Sequence, residues 1–249
     1  MSHFSRICCL FLLVILVSCS TDEGTTGTPD EIESLTLSPK ELEFIEEYEY
    51  VTFNLAPDSF GANLNEKWEA NVNVFLQGEL SESYRAEVAN ALEQFNNLVG
   101  NNLEFKLVNA VEESNVHLIF GEKEAIREVW PDMYNQIELV DFQGYALYKS
   151  ANGFKIFDGR IWVRNASIPL FRHELGHVIG LGHASTNFCD RNFTRNQSFM
   201  CSFLKEDFSV FDEAIIQTLY KPEIKAGLPF SQLRPIIEQL LLTDVILVE

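Results

Sequence analysis

Basic residues are scarce in this chain of 249 residues. Lys and Arg together number 18 against 37 Asp and Glu, which leaves a formal net charge of −19 at pH 7. Recognition of nucleic acid needs a dense positive surface that neutralises phosphates, so this balance argues against a nucleic-acid-binding protein. The same shortage argues against electrostatic attraction to anionic lipid head groups.

The apolar run at the N-terminus is too short to serve comfortably as a membrane-spanning anchor. Ile7–Val17 follows a short segment with one positive charge at Arg6, and its length is typical of the h-region of a signal peptide. The run ends in Leu16-Val17-Ser18-Cys19, which resembles the lipobox of bacterial lipoproteins. This resemblance implies a signal peptide over residues 1–18 and a diacylglycerol on the thiol of Cys19. The alternative is an ordinary secretory signal.

A lipid on Cys19 predicts a protein anchored in the bacterial cell envelope, at the outer membrane or the cell surface. Residues 19–30 are small, polar and rich in Gly and Thr, which predicts a flexible tether. Residues 31–59 form an acidic N-terminal segment or, alternatively, a pro-segment. Within it we expect a short helix and a strand near Tyr50–Asn54.

Cysteine is also scarce in the mature chain. Of five cysteines, Cys8 and Cys9 lie in the apolar run and Cys19 is the lipidation site, which leaves Cys189 and Cys201. An extracytoplasmic location permits a disulfide between these two, closing a loop of about a dozen residues. Two free thiols are the alternative.

Hydrophobic residues make up 46% of the chain, with 20 Phe among them, so a sizeable core can form. The order of predicted elements indicates an α/β (α+β) domain with helices set against a mixed sheet. The predicted strands are Asn71–Leu76, Leu103–Val108, Val116–Phe120, Gly144–Tyr148 and Arg160–Arg164. The predicted helices run from Ser81 to about Val99, from Ser167, from Ser209 to before Pro222, and over Arg234–Leu242.

Three histidines stand at metal-ligand spacing in residues 173–183, which read HELGHVIGLGH. His173 and His177 are four residues apart on a helix and share one face, so both imidazoles can reach one ion. Gly180 can take the left-handed backbone that ends the helix. The turn brings His183 round as a third ligand. Three neutral imidazoles with one open position are typical of a catalytic zinc site.

Glu174 stands beside the first ligand without binding the metal itself. Zinc lowers the pKa of its bound water to roughly 7 and polarises a scissile carbonyl. Glu174 would then take the proton of the water as general base and pass it to the leaving amine. The sequence therefore predicts a zinc-dependent endopeptidase acting on a protein or peptide.

The same eleven residues match the HExxHxxGxxH signature of the metzincin metallopeptidases in full. That family carries a methionine in a tight turn beneath the zinc ligands, and Met200 in Ser198-Phe199-Met200-Cys201 resembles it. The resemblance implies a metzincin-like zincin over residues 60–222, with a mixed twisted sheet, an active-site helix and a C-terminal helix. Residues 223–249 would then be a C-terminal extension.

The segment Phe211–Tyr220 looks most like the closing helix of matrixin-type members. Ala184, however, and not serine, follows the third histidine. Ser202 stands where the extra tyrosine ligand of astacin-like members would be, so the chain is not placed in a subfamily. In metzincins the substrate pairs with an edge strand, for which Gly144–Tyr148 or Gly159–Arg164 could serve. If residues 31–59 are a pro-segment, one of their carboxylates could occupy the open metal position.

Two other functions remain open at this point. A surface binding protein could retain the metal for stability after losing turnover, although such a protein has no physical need for Glu174. The zinc could also hydrolyse a non-peptide amide. A different zinc-peptidase clan, with Glu206 or Glu213 as third ligand, is disfavoured because His183 fits better.

The remaining candidate ligands carry weaker signals. His117 lies in a predicted strand and is interpreted as an ordinary strand residue. Asp141, Asp158 and Asp190 could hold calcium, but none belongs to an ordered loop signature, so calcium binding is left open.

Overall fold

A computed structural model of the chain describes residues 36–57, 59, 61–100, 103–190 and 197–248. The predicted signal peptide over residues 1–18, the lipidation site Cys19 and the tether over residues 19–30 lie outside the described residues. In the described part, no helix combines the length and apolar character needed to cross a membrane.

Strands and helices are interspersed up to β6 in the described chain, and the elements after it are all helices; two short 3-10 helices lie at Val111–Glu113 and Lys123–Ile126. The strands are β1 (Lys67–Trp68), β2 (Val72–Gln77), β3 (Phe105–Val108), β4 (Val116–Phe120), β5 (Gly144–Ser150) and β6 (Lys155–Val163). The helices are α1 (Pro39–Thr52), α2 (Glu82–Val99), α3 (Pro131–Ile137), α4 (Ile168–Val178), α5 (Thr186–Cys189), α6 (Val210–Leu219) and α7 (Phe230–Leu242).

The six strands form one mixed, mostly parallel sheet, which confirms the predicted α/β class. The strand β2 pairs in parallel with β3 and β4, and β4 pairs in parallel with β6. The short β1 is parallel to β6, whereas β5 is antiparallel to it. Among the described strands β5 pairs with β6 alone. The strand β6 is therefore internal, and β5 has a free edge.

Alternation along the strands gives the sheet two buried faces. Leu118 of β4 and Ile161 of β6 belong to the main core, while their neighbours Ile119 and Trp162 belong to a smaller cluster on the reverse face. Helices α1, α2, α4, α6 and α7 all contribute to the main core. The reverse face is covered by α3 and the 3-10 helix before it.

Serine caps begin the helices where the sequence predicts them. The hydroxyl of Ser81 accepts a hydrogen bond from the amide of Tyr84 at 3.2 Å, and Gly100 ends α2 with a φ of 68°. This helix buries the predicted apolar face, which consists of Tyr84, Val88, Ala91, Leu92, Phe95 and Val99.

Some predicted elements differ from the structure. The strand expected near Tyr50–Asn54 is wrong, because α1 continues to Thr52 and the chain then turns at Asn54, whose φ is 52°. The predicted strand Arg160–Arg164 overlaps the second half of β6, which ends at Val163 and begins earlier, at Lys155, because β1 and β5 pair with its first half. The helix α3 was not predicted.

The two ends of the described chain are built into the same compact unit, which spans Thr36–Glu249. Helix α1 buries Phe44, Tyr48 and Val51 in the main core, and a capping box between Ser38 and Glu41 begins it. Helix α7 packs against α1, with the rings of Phe53 and Phe230 in edge contact. Residues on both sides of the predicted catalytic domain therefore contribute to its core.

Candidate metal centre

Helix α4 presents the first two histidines of the motif. The hydroxyl of Ser167 caps the helix by accepting from the amide of Leu170 at 3.3 Å. The helix ends at Val178, and Gly180 turns the chain with a φ of 99°, as predicted. A Cβ at Gly180 would also run into the carbonyl oxygen of Glu66. Both the positive φ and this close approach therefore favour glycine at the turn.

The structure brings the three predicted histidines together. One ligand nitrogen from each of His173, His177 and His183 lies within 4.8 Å of the other two. The Nε2 atoms of His173 and His177 are 3.2 Å apart. The ring of His183 has its centroid 5.4 Å from that of His173 and 4.9 Å from that of His177. These three side chains are positioned to bind a metal ion.

Backbone carbonyl groups orient the two helical imidazoles. The Nδ1 atom of His173 donates to the carbonyl of Phe199 at 2.9 Å, and that of His177 donates to the carbonyl of Leu181 at 2.9 Å. Because a carbonyl can only accept, each neutral ring carries its proton on Nδ1 and leaves the Nε2 lone pair bare. Burial lowers the pKa of His173 to about 4 and that of His177 well below the usual value, which favours these neutral forms.

Glu174 is buried between α4 and the start of the edge strand β5. Its carboxylate lies against Gly144, where a Cβ would collide with the Oε1 atom of Glu174. Burial raises the pKa of Glu174 to about 8. A cation bound nearby would lower this pKa, because it stabilises the charged form.

Met200 lies directly beneath the helix that carries the first two histidines. A Cβ on Gly176 of α4 would collide with the Sδ atom of Met200 and the ring of Phe199. Glycine at this position therefore lets the Met200 turn approach the helix closely enough for the carbonyl of Phe199 to reach His173.

Asp212 of α6 anchors this turn, and sequence reasoning assigned it no role. Its carboxylate accepts from the hydroxyl of Ser198 at 2.5 Å and from the amide of Phe199 at 3.1 Å. It also accepts from the amide and hydroxyl of Ser209 at 2.7 and 2.8 Å. Burial raises the pKa of Asp212 to about 6, although these donors act in the opposite direction. The spacing of Ser209 and Asp212, a capping box, is the sequence signal that could have indicated it.

The predicted disulfide between Cys189 and Cys201 is present. It joins the chain shortly after His183 to the residue that follows Met200. The amide of Ala184 adds a second link by donating to the carbonyl of Met200 at 3.1 Å. The loop of the third histidine and the Met200 turn are therefore connected both covalently and by a hydrogen bond.

His117 and the acidic residues considered for calcium do not join this centre. His117 contacts Gln77 and Trp130 on the reverse face, where it lines a cavity of about 330 Å³. Asp141 pairs with Arg164, and Asp158 pairs with Lys149. Within the described ranges, the three histidines of the motif are the only group of three or more residues placed to share a metal ion. Neither of the alternative ligands Glu206 and Glu213 belongs to it.

The fold and the site together define an α/β protein with a three-histidine centre positioned to bind a metal ion. Residues 41–239 match the family described as protein of unknown function, DUF2927, and the chain belongs to this family. No curated protein matches the chain.

Proposed function

We propose that the protein is a zinc-dependent endopeptidase of metzincin type, held at the bacterial cell envelope by a lipid on Cys19. The observation that supports this most directly is the 3.2 Å separation of two bare Nε2 atoms, those of His173 and His177. The Nδ1–H groups of both rings already donate hydrogen bonds to backbone carbonyl groups. Neither Nε2 can therefore donate to the other, and a cation between them is the natural partner for both lone pairs.

The donor set fits zinc in particular. Zn–N bonds of about 2.0–2.1 Å in tetrahedral geometry separate two ligand nitrogens by about 3.3–3.4 Å, close to the 3.2 Å between His173 and His177. Three imidazoles without a fourth protein ligand are typical of catalytic rather than structural zinc. Carbonyl groups that fix the ring tautomers are the usual outer partners of such histidines.

The expected chemistry is hydrolysis of an amide bond. A zinc ion held by His173, His177 and His183 would supply a Lewis acid that polarises a carbonyl group and acidifies water. Glu174 would accept a proton from the attacking water at a carboxylate oxygen and deliver it to the departing amine nitrogen. The contact with Gly144 restricts where this carboxylate can lie, because the strand backbone closes one side of it.

The sheet supports one of the two candidate substrate strands. Since β6 is paired on both sides, the segment Gly159–Arg164 has no free edge to offer, whereas β5 has one. Gly144 at the start of β5 also contacts Glu174. We therefore expect an extended peptide to pair with Gly144–Ser150, through main-chain hydrogen bonds, with its scissile bond close to Glu174.

Cleavage of an unfolded protein by the purified full-length chain in mild detergent tests this proposal. The expected result is cleavage that stops with excess chelator and returns with zinc. The variant Glu174→Gln should lose a factor of roughly 10² or more in kcat while it keeps its zinc. Glu87→Gln, at an exposed position of α2, should retain full activity.

The outcomes separate the alternatives. Cleavage that survives both chelation and Glu174→Gln would contradict the proposal. One bound zinc without cleavage of any protein substrate would favour a non-peptide amide or a binding protein that has lost turnover. Labelling with a radioactive fatty acid, compared between the natural chain and Cys19→Ser, tests the lipid anchor separately.

A further inference from the structure

Three backbone amides of the loop that carries His183 donate hydrogen bonds to other parts of the fold. The amide of Gly182 donates to the carbonyl of Val51 at 2.8 Å, and the amide of Ser185 donates to Oε1 of Glu47 at 2.9 Å. Between them, the amide of Ala184 donates to the Met200 turn. Two of the three acceptors therefore belong to α1, which lies more than a hundred residues earlier in the chain.

Glu47 occupies an unusual place for a carboxylate. It lies on the buried side of α1, close to Phe44 and Tyr48, and only 4% of its surface is exposed. A buried carboxylate is costly without donors, so packing alone would favour an apolar residue here. Ser185 provides the donors: its amide donates to Oε1 of Glu47, and its side chain also hydrogen-bonds the carboxylate. These hydrogen bonds therefore give a reason for a carboxylate at position 47, where packing alone would favour an apolar side chain.

The end of α1 also contacts the loop directly. A Cβ on Gly182 would stand 2.8 Å from the Cα atom of Asn54, so the two backbones touch. Asn54 reaches this position with a left-handed backbone, at a φ of 52°. Asparagine accepts this conformation more readily than most residues other than glycine.

We propose that α1 is part of the metal centre and that Glu47 is a positioning residue for the third ligand, His183. This inference rests on the proposed metal site. His173 and His177 are fixed by a rigid helix, whereas His183 lies on a loop that needs external support to stay within reach of the ion. The Glu47 carboxylate and the Val51 carbonyl supply that support from α1, in addition to the links to the Met200 turn, and we place no direct contact between Glu47 and the metal.

Metal affinity in a series of full-length variants tests this role. Zinc affinity would be measured by competition with a chromogenic chelator. We expect Glu47→Ala to weaken it roughly tenfold or more, because the Ser185 amide loses its acceptor. Glu47→Asp draws the carboxylate back by one methylene and should fall in between. Glu47→Gln keeps an acceptor oxygen at the same reach and should stay within about threefold of the natural chain.

Two controls separate positioning from stability. Glu46→Ala removes an exposed acid from the same helix and should leave the affinity unchanged. Ile126→Ala truncates a fully buried side chain in the cluster on the reverse face, so it should destabilise the fold without weakening zinc binding. Unfolding of each metal-free variant in urea would give the stability scale for comparison.

The spectrum of bound cobalt is a measurement that would not change if Glu47 only stabilised the fold. The visible absorption of bound Co²⁺ reports the number and geometry of its ligands. We expect the spectra of Glu47→Ala and Glu47→Asp to move toward that of His183→Ala, and the spectrum of Glu47→Gln to match the natural chain. If Glu47→Ala does not fold, the Asp variant carries the comparison.

Unchanged affinity and spectra in both the Ala and Asp variants would overturn the inference. So would losses that follow stability alone, shared by Ile126→Ala. Failure of the natural chain to bind zinc or cobalt would overturn both proposals. Tight zinc binding without peptide cleavage would overturn the peptidase alone, and the Glu47 series would still decide the role of α1.

Discussion

Asp212 on α6 holds Ser198 in place through a hydrogen bond of 2.5 Å between its carboxylate and the serine hydroxyl. The same carboxylate accepts from the amide of Phe199, whose carbonyl orients His173. A chain of hydrogen bonds thus runs from α6 through the Met200 turn to the first predicted ligand, His173. Each link depends on a residue that the metal-binding motif does not contain.

Removing this carboxylate should loosen the Met200 turn. We expect Asp212→Ala to lower the free energy of unfolding by roughly 2–4 kcal/mol, because the amides of Phe199 and Ser209 lose a buried acceptor. Urea denaturation of the metal-free protein measures this. The adjacent Glu213→Ala is the control, since that side chain is exposed. A loss no greater than that of the control would mean that Asp212 does not anchor the turn.

The pH dependence of stability should report on Glu47. Burial raises the pKa of Glu47 above its ordinary value, the hydrogen bonds from Ser185 oppose this, and the charges of Asp212 and Glu43 add to the increase. The folded state therefore holds this proton more tightly than the unfolded state. The stability that protonated Glu47 contributes is therefore present in full below its ordinary pKa in the unfolded chain. It is lost as the pH rises through the raised pKa of the folded chain.

Glu47→Gln removes this titration. The unfolding free energy of the variant minus that of the natural chain should therefore increase as the pH rises from about 4.5, the ordinary value, toward neutrality. Denaturant unfolding of metal-free protein at several pH values measures it. Glu46→Gln, at an exposed position on the same helix, should show a flat difference. A flat or decreasing difference for Glu47→Gln would contradict the prediction.

The disulfide between Cys189 and Cys201 should stabilise the fold. Closing a loop of this length restricts the unfolded chain by roughly 3 kcal/mol in the chain-entropy model. The double variant Cys189→Ser, Cys201→Ser should lose about that much in urea denaturation. A reductant should destabilise the natural chain by a similar amount and leave the double variant unchanged. If the reductant destabilised the natural chain and the double variant equally, the loss of stability would come from other cysteines and not from this disulfide.

Gly144 should control the position of Glu174. In Gly144→Ala the new methyl group meets the Glu174 carboxylate and approaches Cδ1 of Leu170, so the carboxylate must move. We expect kcat to fall roughly 10- to 100-fold, while zinc affinity stays within about twofold of the natural value because no histidine is touched. Glu87→Gln, at an exposed position of α2 away from the proposed substrate strand, should have little effect. If zinc affinity fell together with kcat, the substitution would have disturbed the metal site and not only the position of Glu174.

Local patterns were sufficient to predict much of this fold. The capped helix α2, the strand β4 and the helix α4 were each predicted close to their observed bounds, because serine caps, glycine ends and apolar periodicity act over a few residues. The His173 and His177 pair was equally predictable, since residues four apart on a helix share a face. The cysteine pair was found by elimination from a short inventory.

The rest depended on contacts between distant parts of the chain. The first half of β6 is a strand because β1 and β5 pair with it, and no local pattern indicated that pairing. The free edge belongs to β5 and not to β6 for the same reason. Glu47 meets Ser185 across 138 positions of sequence. Asp212 meets Ser198 because α6 packs against the Met200 turn.

The amino-acid sequence by itself determined which residues are able to bind a metal ion and which helix presents two of them, since both follow from residue type and helical spacing. Only the tertiary structure decided what supports them: α1 beneath the loop of His183, Asp212 behind the turn of Met200, and Gly144 against Glu174. These contacts arise when apolar faces are buried together, and burial brings into contact side chains whose separation along the chain carries no local signal.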